Sequence, residues 1–161
     1  MSVKTPVIAV FDIGKTNKKV FLWDTSFQIV FEKQQHFAEM VDEDGFPCED
    51  LPLLQQWIVS TFTELCQIPE FELIGLNFSA YGASFVYVDR TGEPVAPLYN
   101  YLKPITESFP YADFGGEAEF ARRTASPILG NLNSGLQVYE ARSKPFWPEV
   151  FKAFHFPNYL A

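Results

Sequence analysis

Five consecutive apolar residues at positions 7–11, Val-Ile-Ala-Val-Phe, constrain the fold of this chain more than any other feature. An apolar stretch without alternation is typical of a strand that is buried on both faces of a sheet. The stretch runs into Asp12-Ile13-Gly14, where aspartate and glycine favour a turn. A second strand is predicted at 19–23, where Lys19 precedes four apolar residues. The sequence therefore predicts a central strand that turns directly into a neighbouring strand.

The next residues extend this start into a mixed α/β pattern. Turn formers at 24–26 precede a third strand-like stretch at 27–37, so the first three strands are expected to form an antiparallel meander. An acidic, loop-like segment follows, and Asp50 is the predicted cap of a helix that carries Pro52 in its first turn. Strands are then expected at 71–78 and 85–88, which gives the order β-β-β-α-β-β.

The second half of the chain is more irregular, because prolines interrupt it between positions 94 and 127. This part suits a lid or a substrate loop. A helix is predicted at residues 117–124 and another at 134–143, capped by Ser134. A further helical turn is expected to begin at Pro148 and to reach Ala153.

The fold class predicted from this order is α/β, with a mixed sheet that starts as an antiparallel hairpin, continues with a parallel strand and is flanked by helices. It resembles the ribonuclease-H-like core of the actin-like ATPase superfamily, which actin, Hsp70 and sugar kinases share. With 161 residues, 47% of them hydrophobic, one compact domain is expected. The fold alone does not decide among functions.

Composition excludes several classes of function. Twelve basic residues against twenty acidic ones leave a net charge of −8, which disfavours nucleic acid as a partner. No apolar run is long enough for a membrane span, and no signal peptide is evident at 1–6. Cys48 and Cys66 lack metal-ligand spacing, so a reducing, cytoplasmic location is expected. Structural roles are expected for His36 and His155, since neither has an evident catalytic partner.

The hexapeptide Asp12-Ile13-Gly14-Lys15-Thr16-Asn17 is the strongest local signal, because it lies on the turn between an entirely apolar strand and a second strand. Glycine lets the backbone approach a ligand, and the amides that follow it can cradle phosphate oxygens. Asp12 is a candidate Mg²⁺ ligand, and Lys15 or Lys19 can offset developing charge on a transferred phosphoryl group. In the alternative interpretation Asp12 caps an ordinary β-turn and the lysines are merely solvated. A P-loop is excluded, since Ala9 occupies the position of its first glycine and a strand follows.

The same hexapeptide resembles the first phosphate motif of the FGGY carbohydrate kinase family, although Lys15 departs from the usual small residue. Further stretches resemble the family in order along nearly the whole chain. These stretches are Gly75-Leu76-Asn77-Phe78-Ser79, Val88-Asp89-Arg90-Thr91-Gly92-Glu93-Pro94-Val95, Asn133-Ser134-Gly135-Leu136-Gln137, Pro148-Glu149-Val150-Phe151 and Asn158-Tyr159-Leu160.

The resemblance implies roles for particular residues. Asp12 takes the role of the aspartate that binds Mg²⁺-ATP, and Lys19 the basic position that faces the γ-phosphate. The implied cofactor-binding residues are Asp12, Gly14, Lys15, Thr16, Asn17 and Lys19. The implied substrate-binding residues are Tyr81, Gly82, Tyr99, Asn100 and Lys103. At residues 79–84 the chain lacks the Gln and His of the family's sugar-binding turn, and Tyr81 is equally read as a half-buried aromatic over the sheet.

By this resemblance the parent protein is expected to transfer the γ-phosphate of ATP, with Mg²⁺, to a hydroxyl of a pentulose, hexulose or related polyol. The general base and the adenosine-binding domain are expected downstream, so no catalytic residue is assigned in this chain. Residues 1–161 are read as a truncated N-terminal domain, inactive alone, with a sugar as its small-molecule partner and a homodimer as one expected assembly. Two alternatives are a non-catalytic sugar- or nucleotide-binding module and a ribonuclease-H-like nuclease, and the acidic charge disfavours the nuclease.

Overall fold

The computed structural model describes residues 3–161, which form two compact units. The first comprises residues 3–40, 49–81 and 157–161, and the second comprises residues 41–48 and 82–156. The strands are β1 (Thr5–Ile13), β2 (Asn17–Asp24), β3 (Ile29–His36), β4 (Met40–Val41), β5 (Pro47–Cys48), β6 (Phe71–Ala80), β7 (Phe85–Val88) and β8 (Lys152–His155). The helices are α1 (Leu51–Cys66), α2 (Glu117–Thr124), α3 (Ser134–Ala141) and α4 (Phe156–Leu160).

The first unit is built on a four-stranded sheet with the order β3-β2-β1-β6. β2 pairs antiparallel with both β1 and β3, whereas β6 pairs parallel with β1. A parallel neighbour requires a crossover connection, and α1 lies in the segment between β3 and β6. The predicted antiparallel start, followed by a helix and a parallel strand, is confirmed.

One face of this sheet carries the core of the first unit. Val7, Ala9 and Phe11 alternate along β1 and are fully buried. The Phe11 ring packs edge-on against Trp57 of α1, with 5.6 Å between ring centroids, so the helix covers this face. The prediction that β1 is buried on both faces is wrong, because Ile8 on its other face is 40% exposed. An unbroken run of apolar residues is therefore not enough to predict that both faces of a strand are buried.

Helix α1 begins as predicted. The Asp50 side chain accepts a hydrogen bond from the amide of Leu53, at 2.9 Å, and Pro52 lies in the first turn. None of the helices in residues 3–161 combines the length and the hydrophobicity that crossing a bilayer requires.

The second unit contains the hairpin of β4 and β5 and the antiparallel pair β7–β8, in which Phe85 lies opposite His155. Its core groups Phe85, Tyr87 and Ala141. Helix α2 occupies the predicted residues. Two predictions here are wrong in detail. The N-cap of α3 is Asn133 rather than Ser134, and Ala153 lies on β8 rather than in a helix, because this segment pairs with β7.

Candidate functional site

The turn between β1 and β2 is closed by its own backbone. The amide of Gly14 donates to the carbonyl oxygen of Asn17 at 3.0 Å. A Cβ atom added to Gly14 would lie 2.9 Å from that same oxygen, which is closer than real Cβ contacts come. Glycine is therefore required here by the close approach of two backbone segments.

Two side chains bind carbonyl groups of this turn. The ammonium of Lys18 donates to the carbonyl of Lys15 at 3.0 Å. The ring of His36, with the hydrogen on Nδ1, donates to the carbonyl of Thr16 at 2.8 Å. In a trans peptide the carbonyl and the following amide point in opposite directions. The amide of Thr16 therefore points away from Lys18, and it is a candidate donor to an anion.

Asp12 and Lys19 lie directly opposite each other in the β1–β2 register, so their side chains share one face of the sheet. This face is opposite to the buried one, and both residues are partly exposed. Lys19 Nζ lies 3.1 Å from a carboxylate oxygen of Glu32, and Lys15 Nζ lies 3.2 Å from Glu39. Both lysines are thus held by exposed carboxylates rather than by the core.

The hexapeptide at this turn contains one carboxylate, that of Asp12. Within residues 3–161 no three His, Cys, Asp or Glu side chains form a cluster able to hold a metal ion. Mg²⁺ commonly takes one or two carboxylates, substrate phosphates and several waters, so a single carboxylate at Asp12 fits an ion that arrives with a nucleotide.

Lys18 is a residue of this site that the sequence analysis did not select. Its side chain is 2% exposed, and Nζ lies 2.7 Å from Oε2 of Glu49, whose side chain is 9% exposed. The hydroxyl of Tyr81 lies 3.4 Å from the same Oε2 atom. The structure thus connects Tyr81, a predicted substrate residue, with the β1–β2 turn through Glu49 and Lys18.

The remaining predicted substrate residues lie in the second unit. Lys103 Nζ lies 2.6 Å from Oδ2 of Asp42 and 2.7 Å from Oδ2 of Asp44, and it stands over the ring of Tyr99 at 4.8 Å. The hydroxyl of Tyr99 donates to Glu43 at 2.7 Å. The structure therefore brings Tyr99 and Lys103 together, and it ties both to the acidic β4–β5 hairpin.

The other two candidates of the second unit make backbone contacts. The side-chain oxygen of Asn100, a buried residue, accepts from the amide of Leu102 at 2.9 Å. The carbonyl of Gly82 lies 2.9 Å from Nδ1 of His155. The expected structural role of His155 agrees with this contact, whereas His36 contacts the β1–β2 turn itself.

The shifts in the pKa values of Lys103 and Asp42 favour the charged form of both side chains. Burial opposes ionisation of Asp42, but hydrogen bonds from Lys103 and from the amides of Phe46 and Asp44 outweigh it and lower its pKa. Burial likewise opposes the charge on Lys103, yet the two aspartates prevail and raise its pKa. Burial and the bond to Glu43 raise the pKa of Tyr99. At neutral pH this cluster is therefore an ammonium between two carboxylates.

A small cavity adjoins this cluster and is lined in part by Tyr87, Lys103, Asn131 and Glu140. Its volume is about 30 Å³, and a single water needs roughly 10–15 Å³ on the same measure. The side-chain oxygen of Asn131 is buried without a protein partner, as suits a polar cavity of this size. The cavity is large enough for water but too small for a sugar ring.

Comparison with solved structures defines the class of fold. The gluconate kinase of Lactobacillus acidophilus superposes with a TM-score of 0.82 at 16% identity, over 98% of this chain and 32% of that protein. A carbohydrate kinase from Novosphingobium aromaticivorans superposes with a TM-score of 0.76 at 22% identity, over 94% of this chain and 32% of that one. The chain has the mixed α/β fold of these sugar kinases, as predicted.

Sequence comparison also finds a sugar kinase. A rhamnulokinase from Mannheimia succiniciproducens is 27% identical over 162 residues, which cover 95% of this chain and 33% of that protein. No family model matches the chain. The predicted resemblance to FGGY carbohydrate kinases is confirmed by these relatives, and the chain spans about a third of their length.

Proposed function

We propose that the protein to which this chain contributes transfers the γ-phosphoryl group of ATP to a hydroxyl of a sugar, and that residues 12–19 bind the phosphate groups. The observation that carries the proposal is the turn at Gly14, whose backbone closes onto Asn17 with no room for a side chain. Such a turn, with an amide directed outward at Thr16, suits phosphate oxygens. The likeness to sugar kinases supports the same activity.

Each residue of the turn has a role in this proposal. Asp12 holds Mg²⁺ directly or through water, and the amides of residues 15–17 bind phosphate oxygens. When bound with ATP, Mg²⁺ neutralises charge on the phosphates. Lys19 faces the same side of the sheet as Asp12 and supplies positive charge there.

The exposure of each lysine's ion pair determines whether that lysine can leave its carboxylate and contact a phosphate. An exposed ion pair contributes about 0–1 kcal/mol, so Lys19 can leave Glu32, and Lys15 can leave Glu39, at little cost. Lys18 cannot, because removing one partner of a buried pair costs about 3–5 kcal/mol. Lys15 and Lys19 are therefore the cations proposed to contact phosphate.

The substrate proposed is a pentulose, a hexulose or a related polyol, bound by Tyr81, Gly82, Tyr99, Asn100 and Lys103. Residues 1–161 form the first part of a kinase domain in this proposal, and the general base comes from sequence beyond residue 161. Positioning and electrostatics supply most of the rate in phosphoryl transfer, so the phosphate turn alone is not expected to catalyse it.

The test is sugar-dependent release of ADP by a protein that contains this chain as its N-terminal part. The sugar panel includes rhamnulose, xylulose, gluconate and glycerol, after the names of similar kinases. Asp12→Ala is expected to abolish the release, whereas Asp113→Ala, at an exposed aspartate of the second unit, is expected to leave it unchanged. Full activity in Asp12→Ala would refute the role of Asp12. Binding of sugar or nucleotide without any ADP release would favour a non-catalytic binding module.

A further inference from the structure

We infer that Lys18 and Glu49 are positioning residues, which hold the 15–16 peptide so that the amide of Thr16 faces the bound phosphate. That phosphate binds here rests on the proposed function. That Lys18 and Glu49 orient the 15–16 peptide rests on the geometry of the turn.

The first step concerns charge and burial. Along β2, Lys18 occupies the inward-facing row that continues with Val20 and Leu22, both fully buried. An ammonium in such a row is costly unless it is paired, and Glu49 pairs with it at 2.7 Å. Well-packed apolar residues often stabilise a protein as much as a buried ion pair or more. Stability alone therefore gives no reason for a lysine here.

The second step concerns what the buried ammonium reaches. Besides Glu49, Lys18 Nζ donates to the carbonyl of Lys15 at 3.0 Å. This bond directs that carbonyl inward, and the planar trans peptide then directs the amide of Thr16 outward. No cis peptide occurs in the described part of the chain. A methionine at position 18 would fill a similar space but would leave the carbonyl of Lys15 without this hydrogen bond.

The third step concerns Glu49. One oxygen of its carboxylate, Oε2, contacts both the ammonium of Lys18 and the hydroxyl of Tyr81. Glu49 directly precedes Asp50, the cap of α1, so the start of that helix fixes its backbone. Glu49 is thus held in place beside Lys18 from the start of α1.

The experiment compares Lys18→Met, Lys18→Arg and Glu49→Gln with the wild type, all in the protein that contains this chain as its N-terminal part. The control is Lys33→Met, which removes a lysine from an exposed pair with Glu64 in the same unit. The NMR amide signal of Thr16 reports the peptide orientation, and the β1 amides report whether the sheet is intact. Calorimetric titration with Mg²⁺-ADP reports phosphate binding.

In Lys18→Met we expect the Thr16 signal to shift while the β1 signals persist, and Mg²⁺-ADP to bind about tenfold more weakly, as for the loss of one hydrogen bond to a charged group. Lys18→Arg should restore part of the affinity, and Lys33→Met should change neither reading. If Lys18→Met does not fold, Glu49→Gln, which keeps the shape of the side chain, is expected to show the same shift.

The outcomes separate this inference from the proposed function. Unchanged Thr16 signals and unchanged affinity in Lys18→Met and Glu49→Gln would overturn the inference and leave the phosphate site in place. A wild-type protein that contains this chain and does not bind Mg²⁺-ADP would count against the phosphate site, and the Thr16 signal would still decide whether Lys18 orients the peptide.

Discussion

Replacing Lys103 with methionine should destabilise the second unit strongly, because the change leaves a buried carboxylate without its cation. Lys103 is 9% exposed in its side chain and Asp42 is fully buried, with 2.6 Å between Nζ and Oδ2. Asp42 keeps the amides of Asp44 and Phe46, each at 2.9 Å from Oδ1, but these do not neutralise its charge. Breaking a buried ion pair from one side costs about 3–5 kcal/mol, and that is the expected loss of unfolding free energy.

The assay is hydrogen exchange of the β7 amides as a function of urea, because β7 lies in the core of the second unit. The matched control is Lys144→Met. Lys144 also contacts Asp44, at 3.0 Å, but its side chain is 25% exposed. An exposed pair contributes about 0–1 kcal/mol, so this control should change the free energy little. Equal losses in the two variants, or a loss below about 1 kcal/mol in Lys103→Met, would refute the view that burial makes the Lys103 pair important.

Three further predictions concern stability and can be checked by urea denaturation. Gly14→Ala should cost about 1–3 kcal/mol, because its Cβ would meet the Asn17 carbonyl at 2.9 Å, whereas Gly82→Ala meets nothing within 4 Å and should be close to neutral. Leu54→Ala should cost about 2–5 kcal/mol, since Leu54 is fully buried on α1, and a smaller loss would mean that the site collapses around the cavity. The pKa of Asp42 is lower in the folded chain than its ordinary value of 3.8. Its contribution to stability is therefore present above pH 3.8 and is lost as the pH falls through the folded pKa. In Asp42→Asn the free energy of unfolding should therefore depend less on pH in this acid range.

The fold was predictable from the sequence where local patterns and packing agree. Apolar stretches marked β1 and β2, and the helical spacing after Asp50 marked α1, whose cap forms the expected bond to Leu53. A hairpin followed by a helix and a further strand leaves few sheet topologies, so the parallel β1–β6 pairing followed as well.

Two errors arose where distant partners decide the local structure. Residues 148–153 carry a helical pattern, yet Ala153 pairs with Tyr87, which is far away in the sequence. The acidic segment before Asp50 was read as a loop, but Asp42 is buried in a hairpin because Lys103, 61 residues later, neutralises it. Neither partner can be located from a local pattern.

The proposed phosphate turn shows the same limit within the candidate site. The glycine and the aspartate of the hexapeptide were predictable, because turns and phosphate sites use them for local reasons. Lys18 was not selected, although alternation from Val20 places it in the buried row of β2 and a lysine there requires an acidic partner. The sequence contains twenty acidic residues, and nothing near Lys18 distinguishes Glu49 from the others. Alternation could therefore have predicted that a buried ion pair supports the phosphate turn, but identifying Glu49 as the partner, and Tyr81 as its other contact, required the folded chain.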